Sequence, residues 1–578
     1  MYIIPNPQKW ELKDEKIDAA AVFFEADCDC IYEFAGDLNE AGAKTKIAFK
    51  KIDGLGVEEY KININTNGIE VLHSTAEGGY RAYTTLKQIL AQRVDGKINC
   101  MSIEDYPDIS NRGYMLDISR GKIPNLEHIK NIVDILSDLK YNQIQLYMES
   151  LVYEYKNFPE YTKDTEPLTQ AEIKELDAYC KERFIQLVPN QNSFGHMGVW
   201  TKKEELSHLA VTGLNGKPSA TLNPLLDETI EFIDKIYDGY FDAFSSDMVN
   251  IGMDETFELG LSETKEACEK YGTGKVYIDY LIKVCNLISE KYGKTPMFWD
   301  DIVFKHPEQI ENVPKNAIFM DWGYETIEHF DRNSQRLKEH GFRYYLCPGT
   351  SMWQSYTGRN ENMVINIAEA AESCKFYGAE GFLLTEWGDG GHSQFPSTAM
   401  FPLVFGGAMS WKAGSGHPET AFEYRRGLIA ECKKYTDKYI YNVKGEKSLC
   451  DIAYRMGNYY LLEDAPKHNG TELAIYMRKG GAEQEKINGF KRVKEYMQRL
   501  RNELSEVEAD EIAIREIRNN CDMVLLIASK LIGDEIDFRK EFDALKAEFE
   551  SLWMMKNHRA GINICMDGIE KFVLGSVH

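Results

Sequence analysis

The chain has 578 residues, 43% of them hydrophobic and 12% aromatic, enough to bury one large core and two smaller ones. Its formal charge of -25 disfavours nucleic acid or an anionic membrane as the main partner. No early stretch joins a basic segment, an apolar segment and a small-residue cleavage site, and no run of about 18 apolar residues occurs, so a cytoplasmic protein without a bilayer span is expected. The twelve cysteines lack a repeated metal-ligand spacing and read as reduced core or helix residues, Cys28 and Cys30 included; neither a metal nor a cofactor is expected.

Residues 1–105 alternate short strand-like runs with turns: Ala20–Phe24, Tyr60–Asn65 and Gly68–Leu72. A helical rhythm follows in Tyr83–Leu90, which together predicts a small sheet with a helix on one side, an α+β domain. Within residues 106–415 a short apolar segment recurs eight times: Tyr114–Ile118, Gln143–Tyr147, Phe184–Val188, Met248–Gly252, Pro296–Trp299, Ala317–Met320, Tyr344–Cys347 and Gly381–Leu384. Helix candidates such as Leu126–Lys140, Leu168–Arg183, Val276–Lys291 and Met363–Tyr377 lie between them. Eight such units predict an α/β fold of the (β/α)8 TIM-barrel type, with a doubly wound sheet as the alternative. Residues 416–578 change to long segments rich in Glu, Lys, Leu and Ala; Gly481–Leu504, Asp510–Ile532 and Phe538–Lys556 read as amphipathic helices. This helical C-terminal region is expected to serve packing, with a homo-oligomer formed through it as an option, and carries no catalytic assignment.

Adjacent carboxylates, Asp254 and Glu255, follow the apolar run that ends near Gly252. Neighbouring side chains on a regular strand point to opposite faces, so both reach one pocket only where the strand ends and the backbone turns. Other acids and indoles gather at the same ends of the proposed strands: Asp117, Glu149, Asn190, Asn192, Trp299, Asp300, Asp301, Asp321, Trp322, Trp353, Glu386, Trp387 and Asp389. In a barrel these positions line one mouth. Carboxylates beside indole faces suit a neutral sugar, whose hydroxyls need acceptors and whose C–H face needs an apolar platform.

Arg112-Gly-Tyr-Met-Leu-Asp117, Asn250-Ile-Gly-Met-Asp-Glu255, Phe298-Trp-Asp-Asp301, Cys347-Pro-Gly-Thr-Ser-Met-Trp353 and Thr385-Glu-Trp-Gly-Asp-Gly-Gly-His392, in this order, resemble glycoside hydrolase family 20, the β-N-acetylhexosaminidases. The likeness covers the small first domain and the barrel, and is nearest the hexosaminidase D-like branch. It implies substrate-assisted cleavage, a recognised exception to the two-carboxylate scheme. Glu255 would protonate the leaving oxygen, an ionised neighbour at Asp254 favouring its protonated form. Asp254 would accept the acetamide N–H. The resemblance further implies that Arg112 holds sugar hydroxyls, that Trp299, Trp322 and Trp387 wall the acetamide and the ring, and that Asp389 binds outer hydroxyls.

Three departures from the family pattern stand out. Asn250 and Met253 replace residues of the usual His-containing run, and Asn192 sits where an acid is common, while His196 is kept and is expected behind the acid. Trp353 occupies the place of the tyrosine that meets the acetamide carbonyl and ranks first for that contact, with Tyr324 as the alternative. The implied activity is release of a terminal β-linked GalNAc or GlcNAc from a glycan or glycoconjugate with retention, through an oxazoline. A lacto-N-biosidase-like enzyme, a sulfated-GlcNAc-specific glycosidase and an inactive carbohydrate-binding barrel are the alternatives.

Overall fold

The computed structural model describes residues 1–414, 418–465 and 467–575. Its first sheet contains β1 (Lys9–Asp18), β2 (Val22–Ala26), β3 (Thr45–Lys51), β4 (Tyr60–Asn65), β5 (Gly68–His73) and β6 (Lys97–Asp105), in the order β1-β6-β4-β5-β3-β2. Alternation of apolar residues turns Ile62, Ile64, Ile69 and Val71 into one buried core beneath the helix Ala76–Leu90. Thr75 starts that helix by accepting from Gly78 N at 3.0 Å. The sequence reading missed β1, β3 and β6. β1 hides because it is an edge strand of mostly exposed, charged residues, with only Ile17 buried.

Eight parallel strands close the second unit: β7 (Asn111–Asp117), β8 (Gln143–Met148) and β9 (Gln186–Gln191), then, past a hairpin of β10 (Ala210–Thr212) and β11 (Pro218–Leu222), β12 (Met248–Asn250), β13 (Thr295–Trp299), β14 (Ile318–Trp322), β15 (Arg343–Cys347) and β16 (Gly381–Glu386). Pairing of β16 with β7 from Gly381 opposite Asn111 to Glu386 opposite Leu116 completes the barrel and removes the doubly wound alternative. Within each strand the period of two sends Met297, Trp299, Ile318 and Met320 inward, and Phe298 and Phe319 outward against the helices. Gly381 makes room for the interior ring of Tyr345, whose atoms lie 2.4 Å from where a Cβ would stand.

The first sheet docks on the amino-terminal end of the barrel through buried charges. Lys140 Nζ meets Asp105 Oδ2 and the Tyr60 hydroxyl, each at 2.7 Å, and lies 4.3 Å from the centre of the Trp411 ring. Trp411 Nε1 donates to the other oxygen of Asp105 at 2.9 Å. Arg112 belongs to this junction and not to the mouth. Its guanidinium pairs with Glu58, donates to the carbonyls of Ile109, Ser110 and Lys140, and stacks on Trp411 at 4.9 Å. Arg112 lies at the start of β7, so about 16 Å of strand separates it from the carboxyl end. Its expected contact with sugar hydroxyls is therefore corrected.

The C-terminal region is helical, and its four longest helices are Pro418–Tyr435, Ile487–Leu504, Glu511–Ile532 and Phe538–Lys556. Asp510 and Asp537 cap the last two through the backbone N–H of Ala513 and Lys540. Ile517, Cys521, Val524 and Ala528 recur at helical spacing and are buried together with Phe490, Val493, Met497 and Leu500. The expected boundary at 415–416 falls outside the described residues. Cys28 and Cys30 are joined as a disulfide, against the expectation that all cysteines are reduced, while ten others are free and buried. No helix among the described residues is long and apolar enough to cross a membrane.

Candidate active site

β12 stops at Asn250, and Gly252, Met253 and Glu255 then take positive φ values of 73°, 81° and 50°. This turn brings both Asp254 and Glu255 onto one cavity at the carboxyl end of the barrel. Only glycine fits at 252, because a Cβ there would lie 2.3 Å from Asn192 Oδ1. Asn192 is itself fully buried and braces the turn: Oδ1 accepts from Met253 N at 3.3 Å, and Nδ2 donates to Asp254 Oδ1 at 3.1 Å. It stands behind the cavity lining, so the expectation that it lines the mouth as a substrate-binding residue is corrected to support of Asp254.

His196 lines the cavity between the two acids. Its Nε2 is 3.2 Å from Asp254 Oδ2 and 3.2 Å from Glu255 Oε2, and Nδ1 is 3.4 Å from Glu149 Oε2. Burial opposes a charged ring, yet the three carboxylates outweigh it, Asp254 foremost, and hold the His196 pKa well above its usual value. The same pairing acts on Asp254. Burial alone would raise its pKa, but the imidazolium and the Asn192 amide reverse that and hold it below the ordinary carboxylate range. Asp254 is thus kept ionised beside Glu255. His196, Asp254 and Glu255 also form the one cluster of possible metal donors among the described residues, within 4.8 Å of one another. An imidazole held protonated by its acids is a poor metal ligand.

Opposite the acids, an arginine that the sequence reading did not single out takes the place expected for Arg112. Arg120 follows β7, lines the cavity and is fixed by Asp117 Oδ2 at 2.8 Å and Glu149 Oε2 at 2.9 Å. Its guanidinium lies over Tyr147 and Trp387 at 4.9 and 5.2 Å. Glu149 stands outside the lining, bonded to Arg120 and to the Tyr147 hydroxyl. The legible signal was strand polarity: Arg120 lies three residues past the carboxyl end of β7, whereas Arg112 lies at its start.

Aromatic side chains form the remaining wall. Trp322 stacks on Tyr324 at 5.2 Å, Trp353 meets Tyr324 edge-on at 5.0 Å, and Trp299 lies 6.0 Å from Trp387. The Trp353 N–H is engaged, donating to Asn469 Oδ1 at 2.7 Å. Tyr324 instead accepts from Trp387 Nε1 at 2.8 Å and keeps its own proton for donation. Asp389, three residues past β16, shares the cavity with the acids, and burial foremost raises its pKa. Trp299, Trp322, Tyr324, Trp353, Trp387, Asp389 and His196 therefore share one cavity with Asp254 and Glu255. Asn469 and Gln354 also line it. Asn469 comes from the C-terminal region, and neither residue was legible in the sequence because no motif carries them.

The cavity measures about 290 Å³, the lower end of the ~300–1,000 Å³ usual for small-molecule sites. A larger groove of about 450 Å³ lies among the C-terminal helices, but there Arg501 and Arg515 are already paired with Asp522 and Glu548. The convergent acids and indoles occur in the barrel mouth.

Residues 110–383 match the description "Glycosyl hydrolase family 20, catalytic domain" and residues 1–106 match "Glycosyl hydrolase family 20, domain 2". The β-hexosaminidase subunit beta of Entamoeba histolytica is 25% identical over 296 residues, which are 46% of this chain and 51% of that one. The β-hexosaminidase subunit alpha of Bos taurus is 26% identical over 320 residues, 50% of this chain and 58% of that one. The chain thus spans only about half the length of these relatives. Among solved structures, a β-N-acetylhexosaminidase from Bacteroides fragilis superposes with a TM-score of 0.62 at 20% identity, over 76% of this chain and 96% of that one. A Flavobacterium johnsoniae chitobiase does so with a TM-score of 0.61 at 15% identity, over 99% of both chains. At these identities the structural likeness speaks for the fold.

Proposed function

The chain belongs to glycosyl hydrolase family 20, and from that premise we propose that it is an exo-acting, retaining β-N-acetylhexosaminidase that releases a terminal β-linked GalNAc or GlcNAc by substrate-assisted catalysis. The observation that carries this reading is the pairing of an ionised Asp254, held by His196 and Asn192, with Glu255 on one cavity. Glu255 gives its proton to the glycosidic oxygen as the bond from that oxygen to the anomeric carbon breaks, the bonding pair leaving with the oxygen. The acetamide carbonyl oxygen of the substrate forms the new bond to the same carbon. Asp254 accepts the acetamide N–H and balances the positive charge of the resulting oxazolinium. Water, losing its proton to Glu255, then opens the ring, and two displacements at one carbon retain configuration.

The other lining residues divide by their free hydrogen-bonding capacity. Tyr324, with a proton to give, is the donor to the acetamide carbonyl; this reverses the rank in which Trp353 stood first, since its N–H is engaged by Asn469. Arg120 takes the sugar hydroxyls, Asp389 the outer hydroxyls, and Trp299, Trp322 and Trp387 the apolar faces. The Cys347–Trp353 motif supports assignment to the hexosaminidase D-like branch, with GalNAc favoured over GlcNAc.

Initial rates on aryl β-GlcNAc and β-GalNAc, with β-glucoside and β-galactoside controls, test the reading. Turnover confined to the acetamido sugars is expected. Equal turnover of the controls, or none of any, rejects it.

A further inference from the structure

Gln354 stands between two cavities. It is the one residue shared by the lining of the active-site cavity and that of a second, of about 170 Å³, behind it. The second cavity is closed by Tyr356, by Met477 and Arg478 from the helix Glu472–Lys479, and by Cys565 and Ile569 from the helix Ile562–Leu574. Elsewhere the partition is the chain just past β16, whose Trp387 and Asp389 face the active site while Gly388, Gly390 and Gly391 face the second cavity. The side chain that separates the two is that of Gln354.

Its amide is held at both ends. Nε2 donates to Asp389 Oδ2 at 2.5 Å, and Oε1 accepts from Arg478 Nη2. A flipped amide would turn its oxygen toward the carboxylate and its N–H₂ toward the guanidinium, two repulsive contacts in place of two charge-assisted bonds. Arg478, exposed on the C-terminal helices, thereby sets the orientation of a residue inside the mouth. Asp389 Oδ2 is occupied by this bond, which leaves Oδ1 for a ligand.

Resting on the reading that Asp389 takes the outer hydroxyls of the sugar, we infer that Gln354, locked by Arg478, is a specificity-determining residue that ends the pocket at the C4–C6 edge of the sugar. The cavity behind it is a latent subsite for a small neutral substituent on that edge, opened when Gln354 is shortened. A small neutral substituent suits a lining made mostly of glycines and apolar side chains, whose one cation, Arg478, is engaged by Gln354 Oε1. The C-terminal region is on this account part of the specificity of the site.

The experiment compares kcat/KM for an aryl β-N-acetylhexosaminide with its 4-O-methyl and 6-O-methyl ethers. The wild type is expected to favour the parent at least tenfold. Gln354→Ala should reduce that preference at least tenfold for one ether, a change of ratio that a loss of stability does not produce. Arg478→Ala, an exposed and therefore structurally mild change, should reduce it several-fold by freeing the amide. Gln354→Glu keeps the length and the exclusion but loses the donor to Asp389, so KM for the parent should rise while the ether preference stays. Preferences unchanged in both Gln354→Ala and Arg478→Ala overturn the inference; should Gln354→Ala fail to fold, Arg478→Ala decides alone. A wild type inactive on the parent overturns the proposed function, and this inference with it.

Discussion

At the amino-terminal end of the barrel buried charges pair with one another: Arg112 and Arg81 share Glu58, Lys140 meets Asp105, and Trp411 lies over Arg112 and Lys140 while donating to Asp105. At the carboxyl end the same kinds of side chain leave capacity over. Trp299 Nε1, Asp300 Oδ2, Asp301 Oδ1 and Asp321 Oδ2 are buried there without a hydrogen-bond partner. Burial, foremost, raises the pKa of Asp301 to about 6 and that of Asp321 to about 7. Charges paired across the junction hold two units together, whereas the acids at the carboxyl end keep oxygens that no protein group fills. Arg112 and Arg120, eight positions apart in sequence, fall at opposite ends of the barrel.

Changes at the two ends should therefore fail in different ways. The largest effect is expected at the carboxyl end, where Glu255→Gln removes the proton donor. It should lower kcat/KM for alkyl glycosides by roughly 10²–10⁴-fold, the range for general acid catalysis, and much less for a dinitrophenyl glycoside that leaves without protonation. Equal loss on both would detach Glu255 from leaving-group protonation.

Next comes a direct contrast of the arginines. Arg112→Ala leaves Glu58 with Arg81 as its remaining cation and three buried carbonyls short of a donor, and should cost about 1–3 kcal/mol of stability, with kinetics close to wild type in the protein that remains folded. Arg120→Ala should raise KM with a much smaller fall in melting temperature. Calorimetry beside Michaelis–Menten kinetics reads both, and an exchange of the two phenotypes would invert the assignment of the ends.

A smaller effect concerns pH. Asp254, held below its ordinary range, stays ionised as pH falls, and the stability it contributes is lost only as pH drops through its depressed pKa. His196, held above its ordinary range, contributes stability at low pH that is lost as pH rises through its raised pKa. His196→Phe removes the charge that opposes burial at Asp254, so the acid limb of kcat/KM should move to higher pH. An unmoved limb would show that Asp254 does not set it.

The barrel was legible because its signal repeats. Eight apolar segments of strand length each carried polar or indole residues at one end, and all eight coincide largely with the observed strands. Asp254 and Glu255 were legible for a local reason, since adjacent side chains share a cavity only across the kind of turn that Gly252 and Met253 make. Arg112 was misplaced because the motif was weighed without the direction of the strand. Asn469, Gln354 and Arg478 escaped because their contacts join segments more than 100 residues apart, with no periodicity or spacing to announce them. The charged edge strand β1 escaped because the run Lys13-Asp14-Glu15-Lys16 interrupts its alternation and only Ile17 is buried.

The measurement that bears most directly on the mechanism is the rate for a series of aryl β-N-acylhexosaminides whose acetyl group carries zero, one, two or three fluorine atoms. Each fluorine withdraws electrons from the carbonyl oxygen that is held to attack the anomeric carbon. If Asp254 and Glu255 act on a nucleophile supplied by the substrate, kcat/KM should fall steeply at every step of the series. A rate that stays flat across the four substrates would mean that the attacking oxygen belongs to the protein or to water, and would contradict the roles assigned to both acids.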